Sequence, residues 1–116
     1  MLEIKNFSKC YGDKKVVDNL SISVQPGDIY GFIGANGAGK TTTIKAVVGI
    51  HDFEYGSIDI NGHSIKEEPV TCKKMMAYIP DNPDLYEHMT GLQYINFIAD
   101  LFEIPTELRK ERIQKY

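Results

Sequence analysis

Apolar and polar residues alternate from the start of the chain. Leu2, Ile4 and Phe7 predict a first strand. Ser8 to Lys15 is polar, with a turn around Tyr11-Gly12-Asp13. Val16 to Val24 predicts a second strand with an imperfect start. Leu20, Ile22 and Val24 share one face, while Val17 falls out of phase. Pro26-Gly27 is a strong turn signal, and Ile29-Tyr30-Gly31-Phe32-Ile33 then reads as a short apolar strand. Three strands joined by tight turns predict an antiparallel sheet near the N-terminus, the last of them also feeding an α/β core.

A helix is predicted from Lys40 to Val48, with Gly49 closing it. Ile50 to Tyr55 reads as a loop. Gly56-Ser57-Ile58-Asp59-Ile60 is a short strand, followed by Asn61-Gly62, a strong hairpin-turn dipeptide. Thr71 to Met76 predicts a short helix and Ala77-Tyr78-Ile79 another strand. Pro80-Asp81-Asn82-Pro83 is a rigid loop. Thr90 is placed to cap a helix in which Leu92, Ile95, Ile98, Leu101 and Phe102 recur at helical spacing. Pro105 ends it, Thr106 is placed to cap a second helix, and Glu107 to Tyr116 is a charged helical run held by Leu108 and Ile113. There is no internal repeat and no low-complexity segment.

The stretch between the Ile29–Ile33 strand and the first helix carries chemistry. Gly34-Ala35-Asn36-Gly37-Ala38-Gly39-Lys40-Thr41 fits G-x-x-x-x-G-K-[ST], the phosphate-binding P-loop. Its glycines let the backbone turn sharply and approach a ligand closely. Peptide N–H groups then converge on nucleotide phosphates, and the helix N-terminus points its positive end at the same place. Lys40 supplies a mobile charge for the β- and γ-phosphates, and Thr41 offers Mg²⁺ a hard oxygen ligand. The bland alternative is a glycine-rich turn capping a helix. The strand–loop–helix setting counts against it.

Composition changes this picture little. The chain has 116 residues, room for one compact domain at most, with 42% hydrophobic and 25% charged residues as in ordinary soluble proteins. A net charge of -3 counts against a general nucleic-acid binder. Cys10 and Cys72 form no C-x-x-C pair and read as reduced thiols. His51, His63 and His88 lack metal-ligand spacing and read as surface or loop residues. No apolar run approaches a bilayer span, and no signal peptide is read at Met1-Leu2-Glu3-Ile4.

The wording of the P-loop through Thr42 resembles that of ABC transporter ATP-binding subunits. So does its setting: Tyr11, Pro26-Gly27, Gly56-Ser57-Ile58 with Asn61-Gly62, and Tyr78-Ile79-Pro80 followed by Leu85-Tyr86-Glu87-His88-Met89-Thr90. The resemblance covers essentially the whole chain, with a prokaryotic drug or peptide exporter as the nearest flavour. It implies an α/β fold: an incomplete P-loop NTPase core with an N-terminal antiparallel β-subdomain, and the start of a helical subdomain. The expected division is 1–87 for the β-subdomain and P-loop core and 88–116 for the start of the helical part. ATP and Mg²⁺ are the implied cofactors. Gly34, Ala35, Asn36, Gly37, Ala38, Gly39, Lys40, Thr41 and Thr42 would hold the phosphates, with Asn36 and Ala38 acting mainly through backbone N–H groups. Thr42 matches the position that reaches the α-phosphate, and Lys40 is the expected catalytic residue. Tyr11 matches the aromatic that stacks on adenine, a use that suits a flat π-face.

Asp81 stands where the family usually has Gln. One reading makes it a direct Mg²⁺ ligand beside Thr41. The other makes it only the fixer of the turn between Pro80 and Pro83, and Asn82 would substitute if the loop register shifted. The family's later hydrolytic motifs do not occur: there is no Ser-Gly-Gly, and Phe97-Ile98-Ala99-Asp100 sits in a helical pattern with Asp100 on its surface. The resemblance implies a transmembrane permease partner and a second ATP-binding subunit, at the cytoplasmic face of the membrane. Three functions follow. ATP hydrolysis in the full-length subunit would power ABC-type transport, with export the expected direction; the chain alone is expected to be inactive. A non-hydrolysing nucleotide-binding module is the alternative. A small P-loop kinase fits the loop wording less well. An exposed apolar sheet edge would favour self-association.

Overall fold

The computed structural model describes residues 1–81 and 88–116. It divides after Tyr78 into two compact units, 1–78 and 79–116. The sequence boundary at 87/88 falls at the edge of the 82–87 stretch. That stretch holds Asn82 and Leu85-Tyr86-Glu87 and lies outside the described residues.

The first unit is built on a sheet of four strands, all antiparallel neighbours, in the order β2-β1-β3-β4. They are β1 (Leu2–Tyr11), β2 (Lys14–Val24), β3 (Tyr55–Ile60) and β4 (His63–Ser64). β1 is central: Ile4 pairs with Ile22 of β2 on one side and with Ile58 of β3 on the other. Asn61 and Gly62 both take positive φ, as the tight β3–β4 turn requires.

The phase slip at Val17 has a structural cause. Asn19 and Asn6 both sit at φ 51°, each adding a residue to its strand. The extra residue turns Val17 inward ahead of Leu20, and Phe7 inward after Ile4. Asn tolerates this left-handed conformation better than most residues. Each bulged amide is met by a serine of the opposite strand: Asn19 N–H donates to Ser8 Oγ at 2.8 Å and Asn6 N–H to Ser21 Oγ at 3.0 Å.

Two helices belong to this unit, α1 (Lys40–Val47) and α2 (Pro69–Lys74). Ala46 of α1 joins Phe7, Phe53, Ile58 and Cys72 in the core, where the Phe7 and Phe53 rings meet edge to face at 5.4 Å. Both cysteines are free thiols, and burial pushes the Cys72 thiol up. Gly49 follows α1 at φ 68°. Its N–H bonds Ala46 O, and Ile50 N–H bonds Lys45 O, which closes the helix as expected.

Two predicted strands are not formed. Ile29–Ile33 joins no ladder among the described residues, and Ile29 and Ile33 are 101% and 92% exposed. Ala77–Ile79 is likewise outside any ladder. The reason is the same for both: β1 already has neighbours on both edges, and no described strand lies beside either segment to complete its hydrogen bonds. The antiparallel sheet therefore takes β3 as its third strand, not Ile29–Ile33.

The second unit contains α3 (Gly91–Leu101) and α4 (Thr106–Lys115). Thr90 caps α3 as expected, within a reciprocal capping box with Gln93. Pro105, not Thr106, is the N-cap of α4. Its ring fixes φ near the observed −59°, and it offers the helix no side-chain cap. Asp100 lies on the surface of α3 and pairs with Arg109 at 2.6 Å. Among the described residues no helix is long and apolar enough to cross a membrane.

Candidate functional site: a P-loop and an exposed aromatic

The loop from Gly34 to Gly39 leaves the Ile29–Ile33 segment and enters α1 at Lys40. Ala38 N–H bonds Ala35 O at 3.2 Å, forming a tight turn. Its three glycines answer different demands. Gly37 takes φ 82°, and a Cβ there would meet nothing within 4 Å. Conformation alone asks for glycine at that position. Gly34 has no positive φ, and a Cβ there would find only ordinary contacts from 3.6 Å outward. Gly39 is constrained twice. It takes φ 88°, and a Cβ would come 2.7 Å from Val17 Cγ2 and 2.8 Å from the Val16 carbonyl oxygen. The start of β2 thus packs directly on the base of the loop.

Gly39 is the N-cap of α1 and, lacking a side chain, gives the first turn no side-chain cap. The first-turn N–H groups therefore point out of the helix end without a side-chain acceptor at Gly39, an arrangement that suits an anion. No acidic residue stands in that turn to oppose one. Lys40 folds back over the loop, its Nζ donating to Gly34 O at 2.6 Å and Ala35 O at 2.8 Å. The ammonium is thereby held inside the arc that the loop backbone draws.

The three threonines divide their work. Thr43 is buried, and its hydroxyl donates to Gly39 O at 2.9 Å, tying the helix to the loop. Thr41 is exposed and Thr42 half-buried. Thr41 Oγ1 stands on the first turn beside Lys40 and is of the donor type that Mg²⁺ prefers. The residues present thus fit a magnesium-bound polyphosphate. Among the described residues no cluster of three or more His, Cys, Asp or Glu could hold a metal. Asp81 is exposed and belongs to the second unit.

Tyr11 stands at the end of β1, 47% exposed. Its ring meets that of His51 edge to face, centroids 6.2 Å apart at 82°. Lys9 Nζ lies over the Tyr11 ring at 5.4 Å. Lys9 is itself paired with Glu54 at 2.7 Å. This hydrogen bond holds the Glu54 carboxyl below its usual range and the Lys9 ammonium above its own. His51, expected as a surface or loop residue, lies in the loop after α1. No sequence signal reveals the contact, because it depends on where β1 ends relative to the loop after α1.

Comparisons with known proteins identify the family of the chain. The family profile described as ABC transporter matches residues 17–115. The chain belongs to the ABC transporter family. It is 34% identical to the ABC-type transporter ATP-binding protein EcsA of Bacillus subtilis, over 97% of this chain and 46% of that protein. It is 37% identical to the SkfA peptide export ATP-binding protein SkfE of the same organism, over 97% of this chain and 46% of that protein. A solved structure described as an ATP binding subunit of an ABC transporter superposes with a TM-score of 0.85 at 35% identity, covering 91% of this chain and 44% of that one. The chain thus spans less than half the length of these relatives. The fold is an incomplete P-loop NTPase core with an antiparallel β-subdomain and helices that begin a helical subdomain.

Proposed function

We propose that this chain binds MgATP through its P-loop, and that the full-length subunit hydrolyses ATP to power ABC-type transport. The observation that carries the reading is the α1 N-terminus: an uncapped first turn with Lys40 folded over the loop and a threonine hydroxyl beside it. Backbone N–H groups from Gly34 to Thr42 would bind the phosphates, Lys40 would balance their charge, and Thr41 would hold Mg²⁺. Mg²⁺ would be held by Thr41 and would supply neutralisation of the polyphosphate charge. Tyr11 would stack on the base. Asp81 keeps two readings, a metal ligand or a turn residue. Equal Mg²⁺ dependence of ATP binding in wild type and Asp81→Gln would remove the first.

Membership of the family supports a permease partner and a second ATP-binding subunit for the whole protein. Export is the direction proposed, and SkfE, a peptide export protein by name, supports it. The choline transport ATP-binding protein OpuBA of Bacillus subtilis is nearly as similar, at 36%. A non-hydrolysing module remains the alternative function. Calorimetric titration with MgATP, with Lys40→Ala beside the wild type, tests the binding claim. Saturable binding that Lys40→Ala weakens roughly tenfold or more is expected, as for loss of charge-assisted hydrogen bonds. Equal affinity in both proteins, or no binding by either, contradicts it.

A further inference from the structure

We propose that His51 is a positioning residue for the nucleotide base, acting through the Tyr11 ring. The proposal rests on the reading of Tyr11 as the base-stacking residue. An aromatic at a strand end is a poor platform while its ring swings freely, because stacking then has to pay for ordering it. Tyr11 is not left free. The His51 ring packs against it at a centroid distance of 6.2 Å and an interplanar angle of 82°, within the favoured edge-to-face range. Lys9 Nζ lies over the ring at 5.4 Å and is anchored by Glu54, three residues beyond His51. Nearly half of the Tyr11 surface stays open.

His51 is itself tied to the P-loop helix. Its N–H and that of Ile50 both donate to Lys45 O, at 3.1 and 2.8 Å, immediately after the Gly49 turn. The N-terminus of α1 is the phosphate end, and its C-terminus carries His51. One eight-residue helix therefore sets both ends of the candidate nucleotide site. Lys45 O anchors the backbone at His51, and the His51 ring packs against that of Tyr11.

The test compares MgATP with magnesium tripolyphosphate, which offers phosphates but no base. Affinities are measured for wild type, Tyr11→Ala, His51→Ala, His51→Phe and the double alanine variant. The account expects His51→Ala to weaken ATP roughly 2- to 10-fold, the size of an aromatic pair. Tripolyphosphate affinity stays unchanged, the double variant binds ATP no more weakly than Tyr11→Ala, and His51→Phe retains the wild-type preference for ATP. Unchanged ATP affinity in His51→Ala overturns the proposal. Equal losses for ATP and tripolyphosphate also overturn it, since that marks a role in the fold alone. Wild type with no preference for ATP, or Tyr11→Ala with the preference intact, overturns instead the reading of Tyr11 on which the proposal stands.

Discussion

Two apolar stretches of the first unit read alike in sequence and end differently. In β1, Ile4 and Phe7 are 3% and 0% exposed, with a strand on each side. In the segment before the P-loop, Ile29 and Ile33 stand almost fully in solvent. Both carry isoleucine and aromatic residues and both run into a glycine-containing turn. The difference lies in partners. A strand is a pairing, and its preference is a preference for a half-buried pleated surface that neighbours must supply. β1 finds those neighbours in β2 and β3; among the described residues Ile29–Ile33 pairs with no strand, and only its Tyr30 and Phe32 side chains line a groove with Ile4, Ile22 and Ile44. The P-loop nevertheless takes its turned form beside the unpaired segment. Its anchors are on the other side, in α1 and in the Val16–Val17 end of β2, which packs on Gly39.

The largest test of this contrast is a pair of truncations. Phe7→Ala should cost about 3–5 kcal/mol in denaturant unfolding, as for a fully enclosed aromatic. Ile33→Ala should stay within about 0.5 kcal/mol. Comparable losses would mean that the segment is packed after all. In light scattering Ile33→Asn should lower self-association, and an unchanged association would show that this exposed segment does not drive it.

Next in size is a pair within the loop. Gly39→Ala should destabilise by about 2–4 kcal/mol, from its left-handed backbone and its overlap with Val16 and Val17. Gly34→Ala meets only ordinary contacts and should be nearly neutral to stability. Thermal unfolding of both variants separates the anchored glycine from the tolerant one.

A smaller effect distinguishes the two bulges. Ser8→Ala removes the acceptor of the Asn19 amide in a half-buried setting and should cost about 1–3 kcal/mol. Ser21→Ala exposes the Asn6 amide to water and should cost less. Equal values would show that the bulges are held by something other than these serines.

The smallest expected effect is on pH dependence. Glu54 is held below its ordinary range by the Lys9 hydrogen bond. Its contribution is therefore present above the ordinary carboxylate range and lost as pH falls through its lowered value. Lys9 is raised, so its share is present below the ordinary lysine range and lost as pH rises through its raised value. Glu54→Gln should flatten the acid side of a stability–pH profile. An unchanged acid limb would remove the pair from the account.

How much was legible beforehand follows from the same physics. The P-loop, α1 with its Gly49 closure, the Asn61-Gly62 turn and the Thr90 cap are local patterns, and they stand where the sequence places them. Val17 showed its bulge as a broken phase, although the pattern alone does not name Asn19 as the inserted residue. The Ile29–Ile33 strand failed because pairing is non-local. The His51–Tyr11 contact was invisible for the same reason: it joins residues forty positions apart through the pairing of β1 with β3 and the closing turn of α1.

The central claim is that this loop, anchored by α1 and β2, forms a phosphate site while Ile29–Ile33 remains unpaired. Amide NMR of the 116-residue chain during titration with MgATP tests it most directly. The account predicts saturable shifts at the N–H groups of Gly37, Gly39, Lys40 and Thr41, with little change at Ile29. Shifts absent from these amides, or ones that appear only together with new protection of Ile29–Ile33, would contradict it.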